Sequence, residues 1–231
     1  MTKWPEPIDH TYIICDPDKE PERAAYLQRW LSSHTIDSSV YTIGLACYGC
    51  DLTAQEAHSA YNPWQNRKPI EQHRNFNSYN LKLAEISLGI NWAAAAQAAV
   101  KAGHKVVMIL ESDVLFADDF LPKLADGLRM LGAANWDFLS LSAPPHLRPK
   151  RSDDGVTQKW FVVDNYMHTR TTDAMVFKVS MLEKILTTFF PIADVLDWEL
   201  NYQLTLHKSR SLWLDPPIIR QGSGKEYPTT L

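Results

Sequence analysis

Cysteine is scarce in this 231-residue chain, with only Cys15, Cys47 and Cys50. An odd number cannot all pair, so no disulfide framework is implied and a reducing compartment is the expected setting. Long apolar runs are missing too. The longest in the middle, Trp92 to Val100, is mostly alanine and is broken by Gln97, far short of the ~20 apolar residues of a membrane span. The opening MTKWPEPIDH lacks the apolar core of a signal peptide. The expectation is a soluble, intracellular, cytoplasmic protein without a transmembrane segment. Positive charge is not in excess either: 23 Lys and Arg stand against 27 Asp and Glu, a formal net charge of -4. Such a chain is a poor tracker of nucleic-acid phosphates. There is no internal repeat and no low-complexity tract. The motifs G-x-S-x-G, H-E-x-x-H and G-x-G-x-x-G are absent, which removes the usual support for an esterase, a zincin or a dinucleotide dehydrogenase.

What is present is ordinary globular composition, 45% hydrophobic and 22% charged,. The length suits one α/β domain spanning residues 1–231. His10 to Cys15 reads as a first strand, ended by the turn Asp16-Pro17-Asp18,. Glu20 to Leu31 has helical spacing, and Val40 to Leu45 alternates as a second strand,. Residues 59–80 lack periodicity and read as a long loop,. Lys82 to Ala102 is an alanine-rich helix with Gly103 as its C-cap,. Val106 to Leu110 is continuously apolar, the mark of a strand buried on both faces,. A helix from Asp118 or Asp119, a strand over Trp136 to Leu141 and a loop over residues 143–155 follow. Trp160 to Val163 and Ala174 to Val179 read as strands, and Ser180 to Glu183 reads as a capping box opening a helix,. A last helix covers Asp194 to His207, then come short strands at Leu212 to Leu214 and Ile218 to Ile219 and a polar tail. Strand–helix–strand order implies a mostly parallel sheet with helices on its faces.

The sharpest chemical feature is Glu111-Ser112-Asp113, placed at the carboxyl end of the most apolar strand. Parallel α/β sheets bind ligands there. Two carboxylates from one short turn suit a hard divalent cation shared with a substrate diphosphate; a solvated turn and helix cap is the structural alternative. Asp194, Asp197 and Glu199 form a second acidic group. One of them is a candidate general base, while Asp194 also suits a helix cap. His207 lies in line with Leu196, Leu200 and Leu204, so it is either a core histidine or a third metal ligand. Cys47-Tyr-Gly-Cys50 is a lone pair of cysteines, short of the four ligands of a structural zinc site,. Gly222-Ser-Gly-Lys225 fails as a P-loop, since Ile219 stands at the first glycine position and Glu226 at the Ser/Thr position,. A Gly-rich tail carrying Lys225 remains suited to closing over a diphosphate.

Four stretches together resemble glycosyltransferase family 25, the group of lipooligosaccharide and collagen galactosyltransferases. They are Tyr12 to Asp16 with Pro21-Glu-Arg23; Leu83 to Trp92; Val107-Met-Ile-Leu-Glu-Ser-Asp-Val114 with Asp119-Phe120 and Trp136-Asp137; and Ala174 to Leu186 with Pro191 and Asp194 to Trp198. The chain departs from that pattern in two places. Ser112 replaces the middle aspartate of the family's acidic motif, and Ile90-Asn91 stands where the family has Ser-His. The resemblance implies a divergent member with a GT-A-like (Rossmann-like) α/β fold. It implies an inverting, Mn²⁺- or Mg²⁺-assisted transfer from a nucleotide-sugar donor, a UDP-hexose, to a glycan, lipid-linked or protein-linked acceptor. Glu111 and Asp113 would hold the metal, with His207 as a further ligand. Asp16, Arg23, Glu85, Ser112 and Lys225 would face the donor. Asp197 is the first candidate base, ahead of Glu199 and Asp194. An inactive nucleotide-sugar or glycan-binding domain and a nucleotidyltransferase are the competing readings. Trp64, Trp160 and Trp198 lie in or beside loops and are candidates for stacking on sugar rings,.

Overall fold

Apolar periodicity sets the architecture. In the computed structural model, residues 2–44, 47–65, 80–144, 158–163, 166–223 and 226 are described. The strand β1 (His10–Ile14) lies between β2 (Tyr41–Gly44) and β3 (Val106–Glu111), parallel to both. β7 (Ala174–Lys178) pairs antiparallel with β3 and with β5 (Phe138–Ser140). β8 (Ser211–Asp215) runs parallel to β5, and β6 (Lys159–Val162) closes the far edge antiparallel to β8. The order is β2-β1-β3-β7-β5-β8-β6. β1, β2, β3, β5 and β8 therefore point one way, and β7 and β6 point back. The expectation of a mostly parallel α/β sheet holds. β4 (Val114–Phe116) and β9 (Ile219–Gln221) form a separate antiparallel pair that the sequence reading did not anticipate.

The central strand β3 explains the layering. Met108 and Leu110 face one way and Val107 and Ile109 the other, as a period of two requires,. On the first face they meet Leu27 and Leu31 of α1 (Pro21–Ser33) and Leu124 and Leu128 of α4 (Phe120–Leu131). On the second they meet Trp92 and Ala96 of α3 (Leu83–Ala102), Leu182 of α5 (Val179–Leu186) and Leu200 of α6 (Leu196–Leu206). The helices thus cover both faces. Alanines at Ala93, Ala96 and Ala99 are fully packed, which lets α3 sit close to the sheet. Gly103 ends that helix at φ 70, a left-handed conformation that costs glycine little,.

Two local expectations are corrected and one element is added. A short helix α2 (Ala54–Ala60), opened by a capping box between Thr53 and Glu56, takes in the first two residues of the segment read as a loop; residues 66–79 of that segment lie outside the described residues. Ser180 does not open α5: the helix begins at Val179, with Lys178 at the N-cap. Asp194 does not cap α6, whose N-cap is Val195. All three cysteines are free thiols. Among the described residues, no helix is long and apolar enough to cross a membrane.

Candidate active site

The reversal of β7 gathers acids at one end of the sheet. β3 leaves the sheet at Glu111, and antiparallel β7 begins beside it, so Thr172 and Asp173 meet the Glu-Ser-Asp turn. The Glu111 N–H donates to the Asp173 carbonyl at 3.0 Å. Thr172 Oγ1 donates to Glu111 Oε1 at 2.5 Å, and Ser142 Oγ donates to Asp173 Oδ1 at 2.5 Å. Asp197, in the first turn of α6, completes the group; its Oδ1 accepts the Trp198 N–H at 2.8 Å. Asp113 is only 3% exposed, and its Oδ1 is buried without a hydrogen-bond partner.

Crowding carboxylates in a protein interior disfavours ionisation. Burial, and then the charge of Asp113, push the Glu111 carboxyl up to about 8; Asp173 and Asp197 add to the effect. Burial also raises Asp173 and Asp197 above the usual carboxylate range.

The opposite wall is built by α1 and the C-terminal segment. Arg23 Nη1 donates to Glu20 Oε1 at 2.7 Å and to Ser112 Oγ at 2.9 Å, while Ser112 Oγ donates to Glu20 Oε1 at 2.8 Å. Arg23 Nη2 reaches Ser223 Oγ at 3.2 Å, and the Gly222 N–H donates to the Asp113 carbonyl at 2.8 Å. The β4–β9 pair thus returns the C-terminal segment to the acidic turn. Between the walls lies a cleft of about 310 Å³, bordered by Arg23, Tyr48, Asn91, Glu111, Ser112 and Ser223. That is the size range of small-molecule sites. The Asn91 amide fixes the loop on its rim: Oδ1 accepts the Cys47 N–H at 2.9 Å and Nδ2 donates to the Cys47 carbonyl at 2.8 Å. Lys19 Nζ sits 4.4 Å from the centre of the Tyr48 ring.

The anticipated residues divide into those brought together and those kept apart. Glu111 borders the cleft together with Arg23 and Ser112, and Asp113 and Asp197 lie near enough for their charges to act on Glu111. Asp16 lies at its margin, its Oδ1 accepting the Asp18 and Lys19 N–H groups as a turn cap. Glu85 reaches back to the Lys82 N–H at 2.6 Å and caps α3. Glu199 is fully buried, with Oε2 on the Ala193 N–H and Oε1 on Gln203 Nε2. One oxygen braces the chain before α6 and the other a side chain one turn along the helix, so it is no base. Asp194 is buried and accepts the Val195 N–H at 2.9 Å. His207 follows α6 at its far end, ten residues or roughly 15 Å of helix beyond Asp197, paired with Thr188 Oγ1 at 2.9 Å. It is no ligand partner of Glu111 and Asp113. Among the described residues, no group of three or more His, Cys, Asp or Glu side chains forms a ready-made metal cage. Lys225 lies outside the described residues.

Sequence reasoning missed Glu20, Thr172, Asp173 and Ser223. Only Glu20 had a local signal, its i,i+3 spacing to Arg23,. Thr172 and Asp173 depend on β7 lying beside β3, and Ser223 depends on the pairing of β9 with β4.

No protein-family model matches the chain, and no curated protein sequence matches it. Among solved structures, A197 from STIV is similar at 13% identity and a TM-score of 0.42, over 92% of this chain and 81% of that one. A glycosyltransferase involved in the glycosylation of the major capsid of PBCV-1 is similar at 11% identity and a TM-score of 0.48, over 95% and 94%. Likeness at this level assigns no activity and no ligand to the chain.

Proposed function

We propose that this protein is a glycosyltransferase that moves a hexose from a nucleoside diphosphate, UDP being the donor the family 25 resemblance implies, to a hydroxyl of a glycan or glycoconjugate. The observation that carries the reading is the buried, unpartnered Asp113 Oδ1 beside a Glu111 whose charge is suppressed. Glu111 at the cleft and the buried Asp113 two residues on offer two hard oxygen donors that fit Mn²⁺ or Mg²⁺, which use one or two carboxylates and complete their shell with water and substrate phosphates,. When bound, the cation would neutralise charge on the leaving diphosphate. The resemblance of Val107 to Val114 to the family 25 acidic motif supports the same reading.

The chain's own residues divide the remaining work. Arg23 is neutralised by Glu20 but still holds Ser112 and Ser223, so it fixes the acidic turn against the C-terminal segment. Asp197 takes the acceptor proton. Its raised pKa keeps it a stronger base than a solvated carboxylate,. Attack from the side of Asp197, opposite the diphosphate, inverts the anomeric centre.

The test is release of the nucleoside diphosphate from a panel of UDP-, GDP- and ADP-linked sugars with Mn²⁺ present. Turnover of at least one UDP-hexose is expected, falling by ~10²-fold or more in Asp197→Asn, the scale of a lost general base. Turnover that survives Asp197→Asn unchanged would remove Asp197 from the chemistry. Pyrophosphate release from a nucleoside triphosphate would favour the nucleotidyltransferase reading.

A further inference from the structure

The Glu-Ser-Asp turn at the end of β3 is braced by the residues that lead into β7. Thr171, Thr172 and Asp173 are held there from two sides. On one side the Glu111 N–H donates to the Asp173 carbonyl at 3.0 Å. On the other, Ser142 Oγ donates to Asp173 Oδ1 at 2.5 Å. That uses the single proton of the serine hydroxyl, so Thr171 Oγ1 is the donor across its 2.5 Å contact with Ser142 Oγ. Thr172 thus stands on a fixed base, half-buried, and its Oγ1 donates to Glu111 Oε1 at 2.5 Å.

Strand pairing does not require this last bond. β3 and β7 pair from Val106↔Lys178 to Leu110↔Ala174, and the backbone bond from Glu111 to Asp173 continues the ladder. What the hydroxyl adds is orientation. A glutamate side chain has several free torsions, and ordering it costs entropy. A hydroxyl fixes one carboxylate oxygen without bringing a positive charge. Glu20 is the contrast, since its carboxylate is matched by Arg23 at 2.7 Å. Glu111 borders the cleft, and among the described residues no donor meets its Oε2. Asp113, two residues on, keeps a buried Oδ1 without a hydrogen-bond partner. One oxygen held by a neutral donor and the other left to the cleft is how an outer partner orients a metal-binding carboxylate.

We propose that Thr172 is a positioning residue of the cation site, its hydroxyl setting the Glu111 carboxylate for a divalent metal. This rests on the metal-assisted reading above.

The experiment is a Mn²⁺ titration of the full chain, with and without UDP, in which free Mn²⁺ is read by its EPR signal. Thr172→Val keeps the branched shape and removes the hydroxyl. It should weaken Mn²⁺ binding ~10-fold or more, the scale on which an outer partner of a metal ligand acts. Thr172→Ser keeps the donor and should restore wild-type affinity. Thr172→Ala removes the same hydroxyl and should bind as weakly as Thr172→Val, so the result does not hang on one variant; metal-free melts report that each folds. Wild-type affinity in a folded Thr172→Val or Thr172→Ala protein would overturn the proposal, as would a Thr172→Ser protein as weak as Thr172→Val. Absence of Mn²⁺ binding by the wild type, with and without UDP, would instead remove the metal-assisted reading and the proposal with it.

Discussion

At the scale of single residues, Glu111 trades stability for function. Its folded pKa of about 8 lies above the unfolded value of 4.5. Between those values the folded state holds a proton that the unfolded state has lost. Stability without a cation therefore falls as pH rises through that window. Glu111→Gln keeps an acceptor for Thr172 and removes the charge. It should raise the metal-free Tm at pH 8 by on the order of 4 °C and have little effect at pH 4. Thermal melts across pH give the answer, and a Tm lowered at pH 8 would show that Glu111 is not held under strain. The acidic triplet was legible in the sequence because it follows an unbroken apolar run. Asp173 was not, because nothing in residues 170–174 reports that β7 will run antiparallel next to β3. Glu199 misled for a related reason. Acid near a helix start looks available, yet this one is spent on the Ala193 N–H and Gln203.

At the scale of elements, the cleft depends on how tightly the Tyr48 loop packs on α3. A Cβ added at Gly49 would lie 2.7 Å from both the N and the Cα of Ala84. Both are helix backbone and cannot yield, so the loop must move, carrying Tyr48 and the Cys47–Asn91 clamp with it. Gly49→Ala should cost ~1–3 kcal/mol in stability, the scale of overpacking, and weaken nucleotide binding. Denaturant melts and a UDP titration check both, and wild-type values for each would mean that the loop does not shape the cleft. Strong periodicity made β1, α1, α3, β3 and α4 readable. The short pieces were harder. α2 had a signature in Thr53 and Glu56 that passed unused, whereas β4 and β9 are three-residue strands whose pairing no local pattern announces.

At the scale of the whole molecule, the sheet's strand directions decide where chemistry can occur. Five strands run one way, and the reversed β7 starts where β3 ends, so carboxylates from β3, the chain before β7 and α6 share one rim. Burial of two apolar faces dictated the layers, and the sequence pattern carried that information. Convergence of the site is long-range, and it became visible only with the topology. The most direct test of the account is the melting shift produced by UDP with Mn²⁺, compared between wild type and Asp113→Ala. A ligand that binds only the native state raises Tm by mass action, by ~2.7 kcal/mol at a hundredfold excess over Kd. The account predicts a clear rise that needs both UDP and Mn²⁺ and vanishes in Asp113→Ala. A rise that persists in Asp113→Ala, or none with any nucleoside diphosphate and Mn²⁺ in the wild type, would contradict it.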